Sequence, residues 1–126
     1  MPIETAILNK NEAIVHKAAG EITFEDIKAA YKASLKYTVS KNDMPVVWDL
    51  IRADASKILA KDIEKIAGYF SKHSKKRSHY KVALVAPRDL EYGLGRMLSV
   101  YLDNTPAEVR VFRSYEQAKG WLQGFD

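Results

Sequence analysis

Apolar and polar positions alternate along this chain in two distinct periods, and the switches between them predict its elements. Ala6-Ile7-Leu8 and Ala13-Ile14-Val15-His16 are short apolar runs separated by Asn9-Lys10-Asn11. Asparagine tolerates turn geometry, so the pair reads as an antiparallel hairpin, closed by Gly20. The period then changes. Phe24, Ile27, Tyr31, Leu35 and Thr38 recur at helical spacing, beside a solvated stripe of Lys28, Lys32 and Lys36. Thr23-Phe24-Glu25-Asp26 predicts a capping box with Asp26 in place of the usual Glu or Gln, and Ile22 with Ile27 predicts a hydrophobic staple. Ser40 to Asp43 closes this helix and Pro45 prevents its continuation.

Val46-Val47-Trp48-Asp49-Leu50 is almost continuously apolar, as expected of a central strand covered on both faces. A second helix runs to about Phe70 with Leu59, Ile63, Ile66, Ala67 and Phe70 on its apolar face. Its start is open: Asp54 or Ser56 caps it, or it begins after Leu59. Lys72 to Ser78 leads out of it into a strand at Tyr80 to Val85. A third helix presents Leu90, Leu94, Met97, Leu98, Tyr101 and Leu102 and ends at Asn104-Thr105-Pro106. Gly93 and Gly95 each weaken a helix interior by about 1 kcal/mol relative to Ala. They either permit close packing or mark a break near residues 92 to 95. The strand Val109 to Phe112 leads to a second capping box, Ser114-Tyr115-Glu116-Gln117, and a last helix with Tyr115, Ala118, Trp121 and Leu122 inward.

The order is therefore ββαβαβαβα. Alternating strands and helices require crossover connections, so the expected fold is α/β: a mixed, mostly parallel sheet with three parallel strands, an antiparallel N-terminal hairpin and four helices. At 126 residues the chain is expected to form one domain, 1-126, able to bury about two-thirds of its unfolded surface.

Composition narrows the chemistry. The absence of cysteine excludes disulfides, thiolate metal sites and thiol nucleophiles. The opening Met1-Pro2-Ile3-Glu4-Thr5 does not read as a signal peptide, and no run reaches the roughly 20 apolar residues of a membrane span, so a cytoplasmic setting is expected. A net charge of +4 suits solubility without implying nucleic acid. The basic run from Lys72 to Lys81 is a candidate for phosphate contact. It has no interleaved aromatics apart from Tyr80, and cations at a helix carboxyl end complement its dipole and carbonyls. The structural role is the stronger reading, and no nucleic-acid partner is expected. His16, His73 and His79 fall in different elements without metal spacing. No serine lies in a nucleophile elbow. Trp48, Trp121, Phe112 and Phe70 read as core.

The same residues resemble a known family. Trp48-Asp49-Leu50 with Arg52, Ala83-Leu84-Val85-Ala86-Pro87, Tyr92-Gly93-Leu94-Gly95-Arg96-Met97, and Val109 to Arg113 leading to Ala118 and Trp121-Leu122 are similar to the SpoIIAA-like family, bacterial proteins of the STAS fold. The resemblance covers nearly the whole chain. It implies a small non-enzymatic domain, without cofactor, that regulates by binding a protein partner or takes up an apolar or anionic small molecule. Regulatory STAS proteins, the anti-sigma-factor antagonists, carry a phosphorylatable serine at the start of the second helix. Ser56 in Asp54-Ala55-Ser56-Lys57 is its positional counterpart, with Lys57 where the family has glycine.

Ligands of open α/β sheets sit beyond the carboxyl ends of the parallel strands. That rim is expected to gather Asp49, Arg52, Ser56, Pro87, Arg88, Tyr92 and Arg96. Arg96 has the planar fork for a carboxylate or phosphate, with Gly93 and Gly95 opening the backbone beside it. Alternatively, Arg96 pairs with Asp49 or Glu91 and the glycines only relieve crowding. Asp49 as a general base would need Arg96 beside it in a pocket, the least favoured reading. An apolar cleft by the third helix, near Met97, Leu98 and Tyr101, is a second ligand candidate. A homodimer through an edge strand or an exposed helix is compatible with the pattern.

Overall fold

A computed structural model describes residues 2–8, 13–38 and 43–123. The strands are β1 (Ile3–Leu8), β2 (Ala13–Glu21), β3 (Val46–Asp54), β4 (Tyr80–Val85) and β5 (Ala107–Phe112). The helices are α1 (Phe24–Ser34), continued by a tighter turn over Leu35–Thr38, α2 (Ala60–Ser74), α3 (Asp89–Tyr101) and α4 (Tyr115–Leu122). The expected ββαβαβαβα order and mixed, mostly parallel sheet are present. The hairpin tip at Asn9-Lys10-Asn11 and the stretch Ser40 to Asn42 lie outside the described residues.

The strands lie in the order β1-β2-β3-β4-β5, with β1 antiparallel to β2 and every other neighbouring pair parallel. Four strands are thus parallel, not three. The reason is that β2-α1-β3 is itself a crossover, so β2 belongs both to the hairpin and to the parallel set. Three crossovers of one hand, all stepping in the same direction, put α1, α2 and α3 on one face of the sheet. Among the described residues only α4, which follows the last strand, reaches the other.

The cores divide accordingly. On the three-helix side, Ile14, Ile22, Trp48, Ile63, Ile66, Phe70, Tyr80, Leu84 and Leu98 belong to one continuous cluster. On the α4 side, Val47, Ala83, Val85, Ala118 and Trp121 form a smaller one, flanked by Val15, Phe112 and Leu122. Strand alternation assigns neighbouring residues to opposite cores: Trp48 to the first, Val47 to the second. Each fully buried aliphatic or aromatic side chain contributes about 1.5–3 kcal/mol of transfer free energy, offset by the entropy of ordering it.

Local signals largely hold. Thr23 Oγ1 accepts from the Asp26 amide at 3.2 Å, and Asp26 returns the bond to the Thr23 amide at 2.9 Å. At α4 the serine half of the expected box forms, with Ser114 Oγ accepting from the Gln117 amide at 3.3 Å. Helix α2 begins after Leu59, whose amide is held by Asp62 Oδ2 at 2.8 Å. Helix α3 runs unbroken through both glycines. Four residues expected on apolar faces point outward instead: Leu59, Leu90, Tyr101 and Tyr115 are exposed. Leu59, Leu90 and Tyr115 stand at the starts of their helices, and Tyr101 lies beyond the inner stripe of Glu91, Gly95 and Leu98.

Candidate functional site

Strand β3 carries a bulge that shapes the rim. Lys17 pairs with Asp49 and Ala19 with Arg52, so three residues of β3 advance against two of β2. Asp49 Oδ1 accepts the Ile51 amide at 3.1 Å and closes this irregular turn. The bulge shifts the alternation: Trp48 and Leu50 face the three-helix core, and then Ala53 and Ala55 do. Asp49 and Trp48 therefore lie on opposite faces, and Asp49 faces away from the side where α3 packs.

The polar group at the carboxyl ends of the strands centres on Glu91, in the first turn of α3. It is 2% exposed. Its Oε2 accepts the Ala55 amide at 2.9 Å and Arg88 Nη2 at 3.2 Å. Its Oε1 lies 3.0 Å from Arg88 Nε, but among the described residues no donor is aligned with it. Arg88 also approaches Asp54 Oδ1 at 3.8 Å. Asp54 in turn accepts the Ser56 amide at 2.9 Å, and that bond, reinforced by the Ser56 side chain, Arg88 and Lys57, holds its carboxyl below the usual range. Lys57 reaches Glu21 at 3.6 Å. Arg88 and Glu91 thus tie the start of α3 to the loop before α2.

Beneath Glu91 lies an apolar cavity of about 60 Å³. Its walls include Trp48, Leu50, Ile63, Leu84, Leu94 and Leu98, with Glu91 as the charged residue of the lining. Gly95 forms part of the wall at close approach to the sheet: a Cβ there would stand 3.0 Å from Val111 Cγ2 and 3.1 Å from Leu84 Cδ1. At Gly93 a Cβ would meet nothing within 4 Å. Of Met97, Leu98 and Tyr101, the residues expected at a cleft by the third helix, Leu98 lines this cavity together with Leu94 and Gly95, and Met97 and Tyr101 do not.

The rim residues named from sequence are spread out. Arg52 is exposed after the bulge, and Ser56 is exposed four residues before α2. Tyr92 lies under the Arg113 guanidinium, 4.0 Å from its ring centre, while Arg113 also donates to the Pro87 carbonyl at 2.9 Å and to Asp89 at 2.8 Å. Arg96 is exposed midway along α3. The carboxylate suggested as its partner, Glu91, is held by Arg88. Asp49 and Arg96 are not brought together.

Of the basic run, Arg77 donates to the Met44 carbonyl at 2.7 Å and stacks on Tyr80 at 3.5 Å. Lys81 donates to the Trp121 carbonyl at 2.9 Å. His16 is wholly buried in β2, stacked on Trp48 at 3.9 Å, with Thr5 Oγ1 2.8 Å from Nδ1. Its Nε2 has no partner among the described residues, and burial lowers its pKa to about 4.

This sheet order, with three helices on one face and one on the other, is that of a SpoIIAA-like α/β fold. A solved structure of a DUF3478-family protein with a SpoIIAA-like fold, from Shewanella loihica PV-4, matches it with a TM-score of 0.58 and 24% sequence identity, over 95% of this chain and 93% of that one. No family model matches the sequence. No curated protein matches it either. Among the described residues no helix is long and apolar enough to cross a membrane.

Proposed function

We propose that this chain is a non-enzymatic regulatory domain that a protein partner reads at the carboxyl-end rim. The observation that carries the reading is the pairing of exposed apolar and charged groups there. Leu59 and Leu90 are 54% and 42% exposed at the starts of α2 and α3, and Asp54, Ser56 and Arg88 stand on the same loops. Apolar anchors with a polar surround are what a protein interface needs. Arg52 adds an exposed cation on the same strand end. The absence of cysteine suits a cytoplasmic setting.

The test is crosslinking in cells followed by mass spectrometry, comparing the native chain with a Leu59→Asp, Leu90→Asp double variant. Both positions are exposed, so the urea midpoint should change little while the crosslinked partner disappears. A partner retained by a folded double variant removes the rim from the proposal. Phosphorylation of Ser56 would add roughly two negative charges beside Asp54 and oppose a partner that prefers the unmodified face. Intact mass with and without phosphatase decides this: an unmodified chain under every condition ends the switch.

A second reading, a carrier of a small molecule or lipid, is favoured by the cavity beside α3. Its walls are apolar, it lies below the carboxyl ends of the strands, and it has one charged lining residue. Native mass spectrometry of freshly purified protein should then show a co-purified mass. Bare protein in every preparation counts against a resident ligand.

A further inference from the structure

We propose that two copies of this chain join through β5, edge to edge and antiparallel, with Val109 on the twofold axis. The contact is separate from both the rim and the cavity.

The backbone of β5 supplies the surface. The sheet ends in β1 on one side and β5 on the other. The Tyr80 amide donates to the Pro106 carbonyl at 3.0 Å, and the Ala86 amide to the Phe112 carbonyl at 2.7 Å. With Tyr80 paired to Ala107 and Val85 to Phe112, the peptide groups of Pro106, Glu108, Arg110 and Phe112 face β4. Those of Ala107, Val109 and Val111 face away from the sheet. Thr105 Oγ1 accepts the Ala107 amide at 3.2 Å. The peptide groups of Val109 and Val111 and the Ala107 carbonyl are then placed to receive a further strand. There is room for one. A groove of about 200 Å³ opens beside Ala107, Glu108 and Val109, and one of about 580 Å³ beside Val111 and Phe112.

Charge selects the occupant and its register. Antiparallel pairing of β5 with itself requires the outward-facing residues to oppose one another. The registers centred on the strand put Glu108 on Glu108, Val109 on Val109, or Arg110 on Arg110. The first and last set like charges directly opposite, which is unfavourable. The middle one sets Glu108 opposite the second copy's Arg110 and, by symmetry, Arg110 opposite its Glu108. These are non-hydrogen-bonded positions, where Cα atoms stand about 4.5 Å apart and side chains meet most closely. The Glu108 side chain is 41% exposed with His79 3.0 Å away, and Arg110 is exposed beside the Trp121 ring. In the same register Val109 exchanges both bonds with its counterpart, and Val111 donates to the second copy's Ala107 carbonyl. Arg113 falls opposite Thr105 and stays with Asp89.

The same axis acts on α3. Tyr92, Ser99 and Asp103 line the edge grooves, and Arg96 lies on their stripe. Gly95 lies against Val111, and Ser99 shares a groove with Val109. The axis therefore passes near Ser99 and turns Arg96 of each copy towards Asp103 of the other. The β1 edge has no such match. Its one charge, Glu4, meets itself, Ala6 or Leu8 when β1 pairs antiparallel with itself. A contact of β1 with β5 would not close, and would grow into filaments.

The experiment is analytical ultracentrifugation of the full chain over a concentration series, which should show twice the chain mass. Glu108→Arg and Arg110→Glu should each weaken the dimer by about tenfold or more, since each turns two attractions into two repulsions. The double variant should restore the native affinity. The chain has no cysteine. A mixture of Glu108→Cys chains and Arg110→Cys chains should therefore crosslink position 108 to position 110 on mild oxidation, in preference to either like pair. This second readout covers the case in which a charge reversal disturbs folding, which circular dichroism would reveal. A single-chain mass up to millimolar concentration overturns the proposal and leaves β5 to a strand of a different protein. A dimer indifferent to both reversals places the contact on another surface and overturns it too. Like-pair crosslinks in excess, or no rescue by a folded double variant, overturn the register.

Discussion

The two faces of the sheet solve the same packing problem with unequal means. The α4 side is covered by one eight-residue helix, and its core is small: Val47, Ala83, Val85, Ala118 and Trp121. The opposite side has three helices and a much larger core, yet it contains the cavity, the buried Glu91 and the buried His16 with an orphan nitrogen. A small core must be filled to hold its helix, since every contact there is a large fraction of the total. A large core can carry polar groups and empty space, because helix-to-helix and helix-to-sheet packing around them remains intact. The buried polar groups Glu91 and His16 therefore lie on the thicker side.

The sharpest way to break this comparison is to empty the small core. Trp121→Ala removes a side chain that is 2% exposed and touches Phe112 at 5.5 Å between ring centres. A loss of about 3–5 kcal/mol is expected, the cost of truncating a buried large aromatic. The check is urea unfolding together with amide exchange. Amides of α4 should exchange almost freely while those of α2 keep protection in proportion to the remaining stability. Equal loss of protection in α2 and α4 under native conditions would show that the two cores are one cooperative unit.

On the thicker side the largest expected effect is a pH dependence. Burial holds His16 at about 4 in the folded chain, against an ordinary value of 6.5. Between these values the unfolded chain binds a proton that the folded chain refuses. Stability therefore falls as pH drops from about 6.5 towards about 4, by about 3 kcal/mol in all, and this contribution levels off below. His16→Phe keeps a ring against Trp48 and removes the titration, so its urea midpoint should gain on the native chain's across that window. A gap between the two proteins that does not change with pH would mean that His16 is not the group responsible.

Much of this architecture is legible in the residues themselves. The Thr23 box, the continuous apolar strand at Val82 to Val85 and the stops at Pro45 and Pro106 announce elements through local physics, and the crossover rule turns their order into a sheet. The bulge in β3 was not legible, because Asp49-Leu50-Ile51-Arg52 has no glycine or asparagine to mark it. That one inserted residue changes the face on which the residues after Leu50 lie, Arg52 among them. The burial of Glu91 was not legible for a different reason. An acid in the first turn of a helix reads as a dipole partner at the surface. The available signal was spacing: Glu91, Gly95, Leu98 and Leu102 fall on one stripe, and the other three are the residues that face the sheet.

The smallest effect tests that stripe directly. Gly93 and Gly95 sit two residues apart in the same helix, one facing open space and the other facing Val111 and Leu84. Gly93→Ala should stabilise the chain by about 0.5–1 kcal/mol through helix propensity alone. Gly95→Ala gains the same propensity, but its methyl must displace Val111 Cγ2 and Leu84 Cδ1 by a few tenths of an ångström. Crowding in a packed interior costs about 1–3 kcal/mol, and the low end is expected here because Leu84 borders the cavity and can lean into it. The two variants should therefore differ by about 1 kcal/mol in urea unfolding, with Gly93→Ala the more stable. Equal midpoints would mean that α3 is free to lift from the sheet, and that the cavity wall on this side is softer than its closely packed glycine implies.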